Sequence, residues 1–400
     1  MPQATTPHAP ASALRQAIFY ALMFAGTGAS LPFMPVWLAA HGMSPGEIGI
    51  ILAAPLLLRA VTGPLSGVWA DRFHLYRTPM MLLGAGACVL YGIQALSGGG
   101  PLRFWVYLAL FTSAFTCATS VSPLIDAMTI QLGRRDGFAY ALPRAVGSAS
   151  FIAASVAIGY LLQVTVPNVI AVWLSLFGFA TALGARFVLP PEERLEHSAG
   201  AMPGWSRIAG LMRNEGLVWL LIAVGCLQAA HSFYYAFSTL IWKAHGISSS
   251  TCGYLWATGV VAEICFMSLG EGLRRRLGPW RLLLIGGGVN ALRWAVMAFT
   301  PPLWLLWPLQ LLHAFTFAAV YLAGLELVHQ LSPKGDEGLA QTINSAYVNG
   351  MLMGLVTLLS GVIYGWIGAR GYGVMTGVAL IGLAAAVWLV SQRKRLLAAV

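Results

Sequence analysis

The sequence predicts an all-α membrane protein of twelve transmembrane helices in two six-helix halves. Three observations carry this expectation. Of the 400 residues, 58% are hydrophobic and only 9% charged, with a mean hydropathy of +0.75. A soluble core cannot hide that much apolar surface. The apolar runs are about 20 residues long and are separated by short polar turns, the pattern of helices that cross a bilayer. The basic residues gather at the ends of these runs, on alternate turns.

Twelve spans fit the pattern, at roughly 13–40, 46–69, 77–97, 102–130, 137–163, 167–189, 216–243, 250–270, 280–299, 303–330, 338–365 and 371–391. Residues 1–12 form an N-terminal tail. The first half is 13–189, the linker 190–215, the second half 216–391, and 392–400 a C-terminal tail. The linker is the longest hydrophilic connection and falls at the middle of the chain.

Lys and Arg set the orientation. Arg103, Lys243 and Arg370 fall on one side, and Arg59, Arg144 and Arg293 fall inside spans. The rest of the 23 basic residues fall on the other side. This bias predicts that both termini and the linker are cytoplasmic, in a plasma (inner) membrane. The net charge of +10 would suggest nucleic acid, but charges at helix ends imply a lipid bilayer as partner and no nucleic acid. Cys88, Cys117, Cys226, Cys252 and Cys265 show no metal or disulfide spacing. No phosphate-binding G-x-x-x-x-G-K-[ST] motif is present, so no ATP use and no cofactor is expected.

The chain is organised around Asp126 to Phe151. A polar turn, Gly133 to Gly137, separates two apolar runs, with Asp126 before it and Arg144 after it. Counted from Arg135, each charge is nine residues up its own helix. At about 1.5 Å per residue that is roughly 13 Å deep. A charge at that depth is costly unless paired, and marks a functional site or a structural pair that pins two helices.

The two halves repeat. Ala40-His41-Gly42 recurs as Ala244-His245-Gly246, an offset of 204. At that offset Arg59 falls on Glu263, and at about 200 Asp126 falls on Glu326. Span 7 carries Gln228, His231, Tyr235, Ser238 and Trp242 at spacings of three or four, a polar and aromatic stripe on one face. With Trp256 on span 8, the stripe points to an aromatic-lined solute site or to interhelical hydrogen bonding.

Several motifs resemble the major facilitator superfamily. The turn between spans 2 and 3, Gly67-Val68-Trp69-Ala70-Asp71-Arg72-Phe73-His74-Leu75-Tyr76-Arg77, is similar to its signature. The resemblance implies that Gly67 allows close helix approach and that Asp71, Arg72 and Arg77 latch the cytoplasmic side. A further likeness is to lactose permease and its oligosaccharide–proton symporter relatives. An acid on span 4 (Asp126), Arg on span 5 (Arg144), an acid on span 8 (Glu263), Arg on span 9 (Arg293) and Leu312-His313-Ala314-Phe315 on span 10 match that family's positions. Phe151 matches an aromatic on which a sugar ring stacks. Two positions depart from the pattern: Thr316 stands where the family has an acid, and span 11 has no Lys.

The phenylpropionate permease branch is resembled through Leu227-Gln228-Ala229-Ala230-His231 and through Gly253-Tyr254-Leu255-Trp256 with Gly259-Val260-Val261-Ala262-Glu263. These resemblances imply a monomeric, proton-coupled symporter that works by alternating access and is not an enzyme. Asp126, Arg144, Phe151, Gln228, His231, Tyr235 and Trp256 would bind solute, an aromatic carboxylate, a sugar or a nucleoside. Glu263, Arg293 and His313 would handle the proton; Glu326 is either a second carrier or a helix-end acid. A drug–proton antiporter is the rival transport reading.

Overall fold

The computed structural model describes residues 9–193 and 205–398. The first eight residues of the N-terminal tail, the middle of the linker with Arg194, and the last two residues lie outside the described residues. In the first half run α1 (Ala9–Ala40), α2 (Pro45–Ala70), α3 (Arg77–Leu96), α4 (Arg103–Asp136), α5 (Ala141–Val164) and α6 (Val169–Phe187). A short α7 (Trp205–Leu211) lies in the linker. Then follow α8 (Glu215–Ala229), α9 (Ser232–Ala244), α10 (Ser249–Leu269), α11 (Glu271–Met297), α12 (Leu303–Leu311) and α13 (Val320–Leu331). The last are α14 (Glu337–Ser345), α15 (Met353–Ile367), α16 (Gly371–Ser391) and α17 (Arg393–Ala398). Wider π turns, Ala314–Ala319 and Ala346–Leu352, join α12 to α13 and α14 to α15.

Ten helical stretches among the described residues are long and apolar enough to cross a membrane. The expected twelve spans differ from this at two places. The helix at span 9, α11, is not among the ten: it begins with Glu271, Arg274, Arg275 and Arg276, and its apolar part still carries Arg281, Asn290 and Arg293. Spans 11 and 12 fall in one 55-residue stretch, Glu337–Ser391, which contains the π turn at Ala346–Leu352 and, between α15 and α16, a tight turn at Gly368–Arg370 where Gly368 has φ 56°. The single β pairing among the described residues is a bridge between Leu75 and Glu193.

Two other boundaries depart from the sequence reading. The polar turn expected at Gly133–Gly137 is helical up to Asp136, and Gly137 caps α4 in the left-handed region at φ 79°. Span 7 is not continuous: α8 ends at Ala229 and α9 restarts at Ser232, leaving His231 at the break.

The chain forms two compact units. The first comprises Met1–Met43, Val61–His197 and Trp242–Ala257. The second comprises Ser44–Ala60, Ser198–Ile241 and Thr258–Val400. Within the first, glycines let helix backbones meet. A β-carbon on Gly28 of α1 would lie 2.4 Å from the Phe151 carbonyl oxygen of α5, and one on Gly84 of α3 only 2.7 Å from the Ala182 nitrogen of α6. Such contacts replace the hydrophobic drive that lipid cannot supply. Phe19, Tyr20, Ile125, Met128 and Leu132 pack the core between α1 and α4. In the second unit, a β-carbon on Gly382 of α16 would meet the Ala223 carbonyl of α8 at 2.9 Å.

Candidate functional site

In the first unit the charged centre is built from α1, α4 and the entry to α5. After Gly137 the chain turns back along α4, where Phe138 donates its N–H to the Gly133 carbonyl at 3.2 Å. This return brings Tyr140 to Asp126. The Tyr140 hydroxyl donates to Asp126 Oδ1 at 3.0 Å, the Tyr20 hydroxyl to the same oxygen at 2.5 Å, and Ser122 to Oδ2 at 3.4 Å.

The expected Asp126–Arg144 ion pair is therefore not formed here. The longer α4 and later start of α5 put Arg144 in the first turn of α5, not nine residues up it. Its guanidinium lies on the Phe24 ring, 4.5 Å from the centroid, with Tyr20 at 5.8 Å. Its Nη1 is buried with no hydrogen-bond acceptor among the described residues. Phe151 is buried at 6% exposure, so its ring offers no open stacking face. Trp256, also of the first unit, is buried at 3%.

In the second unit, Arg293 of α11 is fully buried and organises a polar network. Its Nη2 donates to Gln310 Oε1 at 3.0 Å, and Tyr234 donates to that oxygen at 2.8 Å. Its Nη1 donates to Thr316 Oγ1 at 3.0 Å and faces His313 Nδ1 at 3.3 Å. Arginine only donates, so His313 Nδ1 accepts and the ring proton sits on Nε2. That Nε2 is 3.7 Å from Glu263 Oε2.

His231 has the opposite tautomer. Its Nδ1 faces the Gln228 carbonyl at 3.1 Å, which can only accept, so Nε2 accepts from the Thr316 hydroxyl at 3.1 Å. Polarity thus runs in one direction from Arg293 through Thr316 to His231 and Gln228. Gln228 Nε2 donates to the Phe317 carbonyl at 3.2 Å, and Tyr235 lies 5.8 Å from the His231 ring. Thr316 and Phe317 both belong to the π turn, a feature often found at functional sites. The expected proton-handling residues Glu263, Arg293 and His313 thus come together. Glu326 does not join them: it is exposed and accepts from Gln330 at 3.0 Å.

At the turn after α2, a β-carbon on Gly67 would meet nothing within 4 Å, so Gly67 is not a point of close helix approach. Asp71 and Arg72 are exposed and Arg77 half-buried. The turn is held from the start of the linker. Tyr76 donates its N–H to the Glu192 carbonyl at 3.1 Å, and Arg135 grips the Glu192 carboxylate at 2.8 and 2.9 Å.

Sequence reasoning missed Tyr20, Phe24, Tyr140, Gln310 and Glu192. A polar residue inside an apolar run was the available signal for Gln310. The tyrosines read as ordinary apolar positions.

Residues 13–372 match the MFS_1-like family. The chain belongs to that family. It is a major facilitator membrane transporter and not an enzyme. It is 30% identical over 368 residues to the probable 3-phenylpropionic acid transporter of Escherichia coli K12, covering 91% of this chain and 94% of that protein. The maltose permease of Geobacillus stearothermophilus is 29% identical, covering 86% of each. The crystal structure of the nucleoside transporter NupG shares the fold with a TM-score of 0.78 at 15% identity, over 94% of this chain and 98% of that one.

Proposed function

We propose that the protein is a proton-coupled symporter that imports an aromatic carboxylate, a phenylpropionate-like acid, by alternating access. It works as a monomer in the plasma membrane with both termini cytoplasmic, and the proton gradient is its only drive. The carrying observation is the Glu263–His313–Arg293 chain. An acid that titrates there changes the charge balance around a buried guanidinium, and so links proton occupancy to helix packing. The 30% identity to a probable 3-phenylpropionic acid transporter supports the solute class. Arg144, with a buried unpaired Nη1 beside aromatic rings, suits the carboxylate of an aryl acid.

The second reading is a sugar or nucleoside symporter. It is favoured by the likeness to a maltose permease and to NupG. Purified protein in proteoliposomes separates these. Labelled 3-phenylpropionate, maltose and uridine are offered with the outside acidified. The acid is expected to accumulate and to stop accumulating when the gradient is collapsed. Accumulation of maltose or uridine instead favours the second reading. Proton-driven expulsion of the acid favours a drug–proton antiporter.

A further inference from the structure

Within the first unit, two opposite charges are sorted onto separate partners. On α1, Tyr20 and Phe24 are four residues apart and so share one helix face. Across from them, Tyr140 stands at the entry to α5, and Arg144 follows it by four residues in the first turn. The two pairs meet in register. Each tyrosine reaches Asp126 of α4, and the Arg144 guanidinium lies on Phe24.

Asp126 is well supplied with donors. An ionised carboxylate only accepts. Its Oδ1 takes both phenols, Tyr20 at 2.5 Å and Tyr140 at 3.0 Å, and its Oδ2 takes the Ser122 hydroxyl at 3.4 Å. Hydrogen bonds to an ionised acceptor are the stronger kind.

Arg144 is left short. Its neighbours are ring faces, Phe24 at 4.5 Å and Tyr20 at 5.8 Å from the guanidinium carbon. Rings attract the positive charge but do not match a carboxylate as acceptors for the N–H groups, and Nη1 is buried with no acceptor among the described residues. Tyr20 touches both charges: its ring lies beside the guanidinium and its hydroxyl holds the carboxylate. Inside a membrane span, opposite charges this near are cheaper paired than apart. The two phenols oppose that pairing, because they give Asp126 other partners and put a ring beside Arg144.

We propose that Tyr20 and Tyr140 are specificity-determining positioning residues, which hold Asp126 away from Arg144 and so leave the guanidinium fork to an anionic solute. This rests on the aryl-acid reading above. An Asp126 released by the phenols would close on the fork bidentately, as the solute's own carboxylate does, and would repel an incoming anion. In this role the tyrosines need not touch the solute. They act through the charge of Asp126.

The test measures 3-phenylpropionate binding to purified full-length protein by titration calorimetry. Tyr20→Phe/Tyr140→Phe keeps both rings and removes both hydroxyls, and is expected to bind roughly tenfold more weakly. Adding Asp126→Asn to that variant is expected to restore binding, because an amide can neither neutralise the guanidinium nor repel the anion. A merely structural role for the phenols would leave the triple variant as weak as the double, since both lack the hydroxyls. If the double variant is not monodisperse, Tyr140→Phe with and without Asp126→Asn is read in the same way. Undiminished binding without the phenols, or no recovery on adding Asp126→Asn, overturns the role of the tyrosines and leaves the aryl-acid function standing. An unmodified protein that binds maltose or uridine but not 3-phenylpropionate overturns the aryl-acid reading, and the role of the tyrosines with it.

Discussion

Thr316 Oγ1 accepts a hydrogen bond from Arg293 Nη1 at 3.0 Å, and both residues are fully buried. The threonine stands where the resembled family carries an acid, so a neutral hydroxyl takes up one side of the guanidinium. The same hydroxyl donates to His231. One small side chain therefore serves two buried polar groups, one on α11 and one at the break between α8 and α9.

Replacing it tests that double role. Thr316→Val keeps the shape and leaves an Arg293 donor and the His231 acceptor unmet. Buried unmet groups cost about 1–3 kcal/mol each. A lowered thermal midpoint of the detergent-purified protein is expected, with Thr316→Ser close to the original. An unchanged midpoint in Thr316→Val would show that the hydroxyl is dispensable.

Two glycines should respond oppositely to alanine. In Gly28→Ala the new β-carbon would lie 2.4 Å from the Phe151 carbonyl oxygen, a backbone atom, so α1 and α5 must separate. Overpacking of this kind costs about 1–3 kcal/mol. In Gly67→Ala the β-carbon meets nothing within 4 Å, and alanine favours the helix by roughly 0.5–1 kcal/mol. Size-exclusion profiles after a temperature series should show early loss for the first and none for the second. Equal behaviour would contradict the packing.

How much of this was legible in the sequence depended on range. Arg293, His313 and Glu263 stood out because charged residues in apolar runs are rare whatever they touch. The partners of Asp126 did not, because Tyr20 is 106 residues away and a tyrosine on an apolar helix carries no mark of its contact. The true end of α4 was hidden because Arg134, Arg135 and Asp136 read as a turn. They are helical, and Arg135 is used to hold Glu192. The hub role of Thr316 was hidden by the π turn, which shifts side-chain register away from the 3.6-residue period on which faces are counted.

Orientation can be checked on α7. Ser206 is exposed in the linker helix. In a background with Cys265, which is also exposed, changed to serine, Ser206→Cys should react with an impermeant thiol reagent in inside-out vesicles only. Reaction in intact cells would reverse the topology expected from the Lys and Arg distribution.

The acid proposed to couple transport to protons is the most informative single site. Glu263 lies roughly 21 Å along α10 from its start at Ser249, well inside the span. Its side chain is 24% exposed, open enough to exchange a proton, and it lies 3.7 Å from His313 Nε2. The position where the resembled family carries its proton is Thr316, which has no proton to exchange at any physiological pH. The proposed symport therefore gives that role to Glu263. In Glu263→Gln the amide oxygen can still accept from His313, so the network and the helix packing should survive. What is lost is the ability to bind and release a proton. Accumulation of 3-phenylpropionate against its gradient should disappear, while downhill exchange across the same vesicles should persist. Glu326→Gln, altered at an exposed acid that touches Gln330, should accumulate normally. If Glu263→Gln accumulates solute and Glu326→Gln does not, the proton travels along span 10 instead. If both of these and Asp126→Asn all accumulate it, no deep carboxylate carries the proton, and coupling must run through the histidines or be absent.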